Sequence, residues 1–588
     1  MKGFFICLVA FIFLAACRPG HFPKVIVVGV DGMDPVFVER HWADLPNLTR
    51  LRQRGSYSHL KTTDPPQSPV AWSTFITGLD PGEHGIFDFV HRDPSTLEPY
   101  LSTDKTIAPR FNAHLGPYEL PLSPSRVVSL RKGRAFWEYL SDQGIPVTIV
   151  RIPANYPPSS AGRELAGMGT PDLRGTQGTF TYYTDNPAES SRDVAGGLIR
   201  KVEVNAGHAE LTLEGPPNTL RRDRAYVSVQ LVADIDPSRP YARIMAGDAQ
   251  AIVKEGEWSD WLPADFPLLP HAASARGMFR VFAKQLHPRF ELYVSPVNID
   301  PEQAALPIST PRSYSREVTA SIGRWSTLGI PEDTAALRQG VFDLPEFLSQ
   351  SHLVLDDERR LLDDSLRRFT GGLLFFYFSS VDQNSHVLWG KHDAELLDVY
   401  RAADASIGEV MRREPEAELM VMSDHGFAAF DRAVNLNTWL VSRGLRTKAY
   451  ALGLNGLYLT DKRVKEEIRR QLLELRDPAN GRKMIAGVAD TNASPENRSI
   501  APDLIVGYSA GYRASWQTAL GEAPEGLVED NDDAWIADHC IDPREVPAVL
   551  FTTRTMRAKA PRLKDLPVSL LALYGLARPA QMTGQTIF

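Results

Sequence analysis

The sequence predicts an α/β fold, a mostly parallel sheet covered by helices on both faces, with a β-rich unit inserted into it. Three observations carry this expectation. The runs Lys24–Val30, Ile145–Val150, Leu373–Phe378 and Leu419–Met422 are apolar without alternation, as in strands buried on both faces of a sheet. Segments of helical character separate them. Between residues 185 and 306 the texture changes to short alternating segments broken by Gly, Pro and Asp.

The chain has 588 residues, more than one simple core supports, so a large core with an inserted or appended unit is expected. A hydrophobic share of 43% with 23% charged residues excludes global disorder, and a formal charge of −8 gives no reason to expect a nucleic-acid polymer as partner. The amino terminus lies outside the fold. Met1-Lys2, an apolar run from Phe4 to Leu14 too short to span a bilayer comfortably, and Leu14-Ala15-Ala16-Cys17 resemble a bacterial lipoprotein signal. That likeness implies removal of residues 1–16 and lipidation of Cys17, hence a lipid-anchored protein of the bacterial cell envelope. If the envelope is Gram-negative, the anchor sits at the outer membrane or the periplasmic face, because Arg18 stands where inner-membrane retention uses aspartate. Cys540 is then the sole free thiol of the mature chain, and no intrachain disulfide is possible.

In chain order, Lys24–Val30 ends at Asp31-Gly32, so a carboxylate sits at the strand's carboxyl end. Pro46–Leu51 begins a short helix that Gly55 stops. From Gln67 to Gly85, Ser68 precedes a proline and reads as the cap of a helix beginning at Pro69, its hydroxyl at the positive helix end where a phosphate is well held. Phe136–Ser141 and Ile145–Val150 form a further βα unit reaching Arg151, and the Gly/Thr-rich stretches Gly167–Asp172 and Gly175–Thr179 are loops. The β-rich insertion spans 185–306, dividing the core into 17–184 and 307–588; Trp258 and Trp261 within it read as core or rim aromatics. Helices are expected from Ser313 to Arg368. The core then returns with Leu373–Phe378, running into Asp382 and His386; Leu419–Met422, ending in Asp424-His425-Gly426; and Asp538-His539-Cys540 before the run Val546–Phe551. A closing helix follows from Asp565 to Tyr574.

Three buried runs thus deliver Asp31, Asp382 and Asp424 to the edge where open α/β sheets bind ligands. Two of these aspartates bring a histidine, His386 and His425. So much negative charge in one place calls for a cation, and carboxylate oxygen with imidazole nitrogen suits divalent metal: zinc first, manganese or iron as alternatives. Two ions close together are the usual device for phosphoryl displacement.

Taken together these residues resemble the alkaline phosphatase superfamily, most closely its type I phosphodiesterase and nucleotide pyrophosphatase branch. Its strand-end Asp-Gly, its nucleophile nine residues before Thr-Gly, its Asp-x-x-x-His and its Asp-His-Gly stand here as Asp31-Gly32, Ser68 with Thr77-Gly78, Asp382 with His386, and Asp424-His425-Gly426. The resemblance implies an alkaline phosphatase-like fold and a metal-dependent hydrolase of phosphate esters, chiefly phosphodiesters, with Ser68 as the covalent nucleophile. It further implies one ion held by Asp31, Ser68, Asp424 and His425, and a second held by Asp382, His386 and a late histidine, for which His539 is the candidate. Two departures matter. Ala71 stands where many of these phosphodiesterases carry a phosphoryl-binding asparagine, and the absence of a Cys-x-Pro-x-Arg pattern at Ser68 argues against a sulfatase. His84 is expected beside the site rather than as a ligand. Trp72, Arg151 and Arg174 are candidate substrate contacts. The alternatives are a phosphomonoesterase, phosphomutase or phosphoethanolamine-type transferase of the same superfamily, or a surface-anchored lipoprotein that binds without catalysis. The oligomeric state is not legible.

Overall fold

A computed structural model describes residues 22–159 and 161–588. Its centre is an eight-stranded sheet of β1 (Lys24–Val30), β2 (Ser56–Leu60), β3 (Val147–Val150), β4 (Arg163–Leu165), β5 (Ser309–Thr310), β6 (Gly372–Phe378), β7 (Glu418–Met422) and β8 (Ala548–Thr552). Across the sheet the order is β2-β8-β7-β1-β6-β3-β4-β5. The five strands β7, β1, β6, β3 and β4 run parallel, and the flanking strands join antiparallel. The sheet is therefore mostly parallel.

Alternation along β1 feeds two cores, because successive side chains of a strand leave opposite faces. Ile26, Val28 and Val30 face a core built with leucines of α2 (Leu344–Arg368) and with Leu396, Tyr400 and Ile407 of α4 (Asp393–Arg413). Val25 and Val27 face Trp72 and Phe75 of α1 (Ser68–Thr77) and Leu566 and Leu570 of α5 (Asp565–Leu573). Helices on both faces leave no half of these strands in water, which is why the runs read as continuous rather than alternating.

The helical stretch expected over 313–368 breaks into Tyr314–Ile322, Thr334–Arg338 and α2, with α2 opened by an Asp343/Glu346 capping box. Residues 180–299 carry three further sheets with a hydrophobic core of their own, containing Leu211, Leu231, Ile244, Phe266 and Leu292. Trp258 lies among Phe282, Tyr293 and Phe342. Among the elements with no counterpart in the sequence reading, two stand out. One is a second β-unit, the sheet of Ala449–Ala451, Gly456–Leu459, Ile485–Asp490 and Leu504–Tyr508. The other is a pair of two-stranded ribbons within residues 104–129.

Candidate active site

The sheet order explains why three distant aspartates meet. β7, β1 and β6 are neighbours and parallel, so their carboxyl ends lie side by side. Asp31 follows β1, Asp424 follows β7, and Asp382 lies in the first turn of α3 (Ser380–Leu388), which starts two residues beyond β6. Gly32 takes φ +66°, and a Cβ there would lie 2.5 Å from the Phe427 ring and 3.0 Å from the Asp382 backbone; the Asp-Gly pair is what lets these strand ends close on one another.

Each aspartate splits its oxygens. Asp31 Oδ2 accepts from Trp72 Nε1 at 3.0 Å and from the Tyr377 hydroxyl at 2.5 Å, Asp382 Oδ2 accepts from Gln383 Nε2 at 2.8 Å, and Asp424 Oδ1 accepts from the Gly32 amide at 3.3 Å. The second oxygens, Asp31 Oδ1, Asp382 Oδ1 and Asp424 Oδ2, are buried without any hydrogen-bond partner. Buried carboxylate oxygens without partners are rare and costly, so three facing one space mark a candidate cation site.

The histidines are oriented in a matching way. His386 Nδ1 donates to the Ala537 carbonyl at 2.9 Å, His539 Nδ1 to the Pro66 carbonyl at 2.7 Å, and His425 Nδ1 to the Gly426 carbonyl at 3.2 Å. In each neutral ring this leaves the Nε2 lone pair for the site. His386 Nε2 lies 3.5 Å from Asp382 Oδ2, and His539 Nε2 lies 3.8 Å from Asp382 Oδ1. His425 Nε2 lies 3.1 Å from Asp424 Oδ2 and 3.4 Å from Asp31 Oδ1. Among the described residues three convergent groups result, Asp31 with Asp424 and His425, Asp382 with His425 and His539, and Asp538 with His539 and Cys540, while His386 belongs to none of the three. His425 belongs to the first two and stacks on His539 at 3.6 Å between ring centroids.

Charge in this pocket is strongly coupled. Burial, with the charges of Asp424 and Asp382, pushes Asp31 well above the usual carboxylate range. Burial works against an ionised Asp382 as well, but the imidazoles of His386, His539 and His425 outweigh it and bring that group down to about 2. Burial also opposes charge on His425, yet Asp424 and Asp382 raise it above its ordinary value. Burial and the neighbouring His425 lower His539 to about 4.

Ser68 opens α1, and its Oγ lies 3.1 Å from His425 Nε2, within reach to donate. The expectation that Ser68 caps the helix is corrected. Gln67 stands at the N-cap with φ −106° and ψ 138°, and Ser68 is the first helical residue, its hydroxyl turned to His425 rather than to its own helix. The Gln67 side chain does not cap either: its Nε2 donates to Asp88 Oδ2 at 2.8 Å and to Asn455 Oδ1 at 2.7 Å. Asn455 in turn donates to the carbonyls of Val506 and Cys540, so one buried amide ties the residue before Ser68 to the residue after His539.

The three candidate substrate contacts are corrected too. Trp72 is fully buried, packed edge-on against Phe75, Phe375 and Tyr377, and serves Asp31 rather than a ligand. Arg151 is buried and donates to the carbonyls of Ser326 and Leu328 at 2.6 and 3.2 Å. Arg174 pairs with Glu214, lies over the Tyr226 ring and is not among the residues that line the cavity. Ala71 packs in the core below the sheet. His84 bonds Thr74 Oγ1 at 3.0 Å within the Ser68 stretch, and burial lowers its pKa to about 3. Ser68, Asp382, His386 and His539 line a cavity of about 490 Å³ whose far walls are Leu328, Ile330, Pro331, Leu454, Trp516 and Leu520. Sequence reasoning missed Arg513 and Trp535 in its lining: Arg513 Nε lies 3.1 Å from Asp538 Oδ2, and Trp535 stacks on His386 at 3.6 Å. A tryptophan three residues before Asp538 was the only local sign of either.

An α/β sheet whose three adjacent strand ends gather aspartates and histidines beside a helix-start serine suits the hydrolysis of phosphoric esters. The chain belongs to the type I phosphodiesterase / nucleotide pyrophosphatase family, whose profile matches residues 25–208 and 276–524. Among solved structures it is similar to phosphonoacetate hydrolase from Sinorhizobium meliloti 1021 in complex with phosphonoformate (13% identity, 94% of this chain and 96% of that one, TM-score 0.47). It is also similar to murine ectonucleotide pyrophosphatase / phosphodiesterase 5 (10% identity, 95% and 96%, TM-score 0.43). Among curated proteins none matches the chain.

Proposed function

We propose that this enzyme hydrolyses phosphodiesters through a phosphoryl-serine intermediate on Ser68 at a two-metal site. The observation that carries the reading is the set of three partnerless carboxylate oxygens converging with the imidazole nitrogens beside the Ser68 hydroxyl. This donor set fits two divalent ions, zinc or manganese, with Asp31, Ser68, Asp424 and His425 holding one and Asp382, His386 and His539 the other. Bound there, such ions would supply Lewis-acid polarisation of the phosphoryl group and a lowered hydroxyl pKa.

The chain's own residues do the rest. Ser68 Oγ attacks phosphorus, its bond to phosphorus forms as the ester P–O bond breaks, and the leaving group departs with the electron pair and takes up the proton the serine gives up; water then cleaves the Oγ–phosphorus bond, its hydroxyl going to phosphorus and its proton back to the serine. His425 orients the hydroxyl, and the Gln67–Asn455 link holds the start of α1 against the loop that carries His539. Diesters are favoured because every arginine near the site is already engaged: Arg151 with backbone carbonyls, Arg174 with Glu214 and, in the cavity lining itself, Arg513 with Asp538 and Arg338 with Asp533. The cavity walls are largely apolar and offer room for a second substituent. The measurement is kcat/KM for bis-p-nitrophenyl phosphate against p-nitrophenyl phosphate on one metal-loaded preparation. The diester is expected to lead; a monoester lead of about tenfold, ~1.4 kcal/mol of transition-state preference, contradicts the assignment.

The proposal includes a lipid anchor at Cys17 and a cell-envelope location, supported by the Leu14–Cys17 sequence alone, since Cys17 lies outside the described residues. No helix among the described residues is long and apolar enough to cross a membrane.

A further inference from the structure

Between residues 112 and 121 the chain forms a short antiparallel ribbon, Asn112–Leu115 paired with Tyr118–Pro121. Register pairs Leu115 with Tyr118 and Ala113 with Leu120, and the Leu122 amide bonds the Phe111 carbonyl at 2.8 Å, which extends the pairing by one step. Residues directly opposite share a face and alternate residues return to it. Phe111, Ala113, Leu115, Tyr118, Leu120 and Leu122 therefore all lie on one side, while Asn112, His114 and Glu119 lie on the other. The apolar side is open: Phe111 is 58% exposed, Leu115 67% and Leu122 71%. A two-stranded ribbon that holds large apolar side chains in water needs an occupant for that face.

The surrounding charge selects the occupant. Segments 104–129 and 220–224 carry six Lys/Arg against three Asp/Glu, in a chain whose net charge is −8. The second segment is joined to the ribbon, since Glu119 N bonds the Leu220 carbonyl and Arg222 N bonds the Pro117 carbonyl. Two of the three acids are spoken for, Glu119 by Asn112 and Arg224 and Asp223 by Arg221, and the third, Asp104, is half-buried and accepts from Thr103 Oγ1 at 2.8 Å. Lys105, Arg110, Arg126 and Arg222 are exposed and have no acidic partner within 4 Å among the described residues. Two copies meeting through this face would bring like charge against like. Exposed apolar side chains with unpaired cations beside them, Arg110 next in the chain to Phe111 and Arg222 in the segment bonded to the ribbon, and a tyrosine at the turn match the headgroup region of a bilayer.

We propose that the 111–122 ribbon is a membrane-contact element that inserts its apolar face into the surface of an anionic lipid bilayer. It is a contact separate from any anchor at Cys17, and it makes no demand on the catalytic reading.

The test is hydrogen exchange of peptides covering 111–122 in the full-length protein, with phosphatidylcholine vesicles and with vesicles containing about one-third phosphatidylglycerol. The readout is local, so attachment through the amino terminus does not mimic it. Slowing of about threefold or more with the anionic vesicles, weakened by high salt, is expected. It should vanish in Leu115→Asp/Leu122→Asp while hydrolysis of a soluble ester stays within about twofold of wild type. No slowing with anionic vesicles, or slowing that the double variant keeps, overturns the proposal. So does protection that follows protein concentration without vesicles, which would assign the face to a second copy.

Discussion

Asp31 divides its two oxygens between structure and chemistry: Oδ2 is taken by Trp72 and Tyr377, and Oδ1 by no protein group. The same division at Asp382 and Asp424 makes the site a cluster of half-satisfied carboxylates suited to a cation. Glu332 shows a different solution in the cavity wall. Buried beside Glu358 and accepting from Ser380 Oγ at 2.6 Å, it is pushed from 4.5 up to about 8 by burial and then by the Glu358 charge. The folded state thus keeps a proton that the unfolded chain gives up. Its contribution to stability is complete below about pH 4.5 and is lost as pH rises through about 8. Glu332→Gln, which cannot ionise, should gain thermal stability relative to wild type as pH rises from 5.5 to 8.5 (about three pH units); a pH-independent difference between the two melting temperatures would contradict this. The strand-end aspartates were legible because each follows directly on a buried run. Asn455 and Gln67 were not, since the contact that gives them meaning spans 388 residues.

At the scale of elements, β1 and α1 are locked through one contact. A Cβ on Gly29 would sit 2.6 Å from Trp72 Cη2 and 3.0 Å from the Phe375 ring, and Trp72 cannot retreat without releasing Asp31. Gly29→Ala is expected to cost about 1–3 kcal/mol by overpacking and to weaken metal retention as well. Denaturant unfolding and metal titration check it, and a variant unchanged in both would show that the glycine is incidental. The parallel strands were readable because burial on both faces writes an unbroken apolar run. The second β-unit over 449–508 was missed because its strands are three to six residues long and packed as much by neighbours as by their own pattern. The helix start was misplaced by one residue: local capping chemistry favours serine, and the site's demand for that hydroxyl prevailed.

At the scale of the whole molecule, the sheet places its parallel strand ends on one edge, and the later β-unit and the loop through Asp538-His539 cover that edge to leave the cavity. Anchoring belongs to this scale too. Cys17→Ser should abolish acylation, since the cysteine sulfur carries the first lipid, and the released protein should lack the mass of the acyl chains. Mass spectrometry of the mature amino terminus checks it, and a mature chain that begins elsewhere and carries no lipid would remove the anchor from the account.

Ser68 is proposed as the attacking group in a site whose metal would be held mainly by other residues. The most direct test is the turnover of Ser68→Ala on a chromogenic diester, measured together with the metal bound per chain. Turnover is expected to fall by about a thousandfold or more with metal content close to that of wild type. Activity within about threefold of wild type would contradict this role.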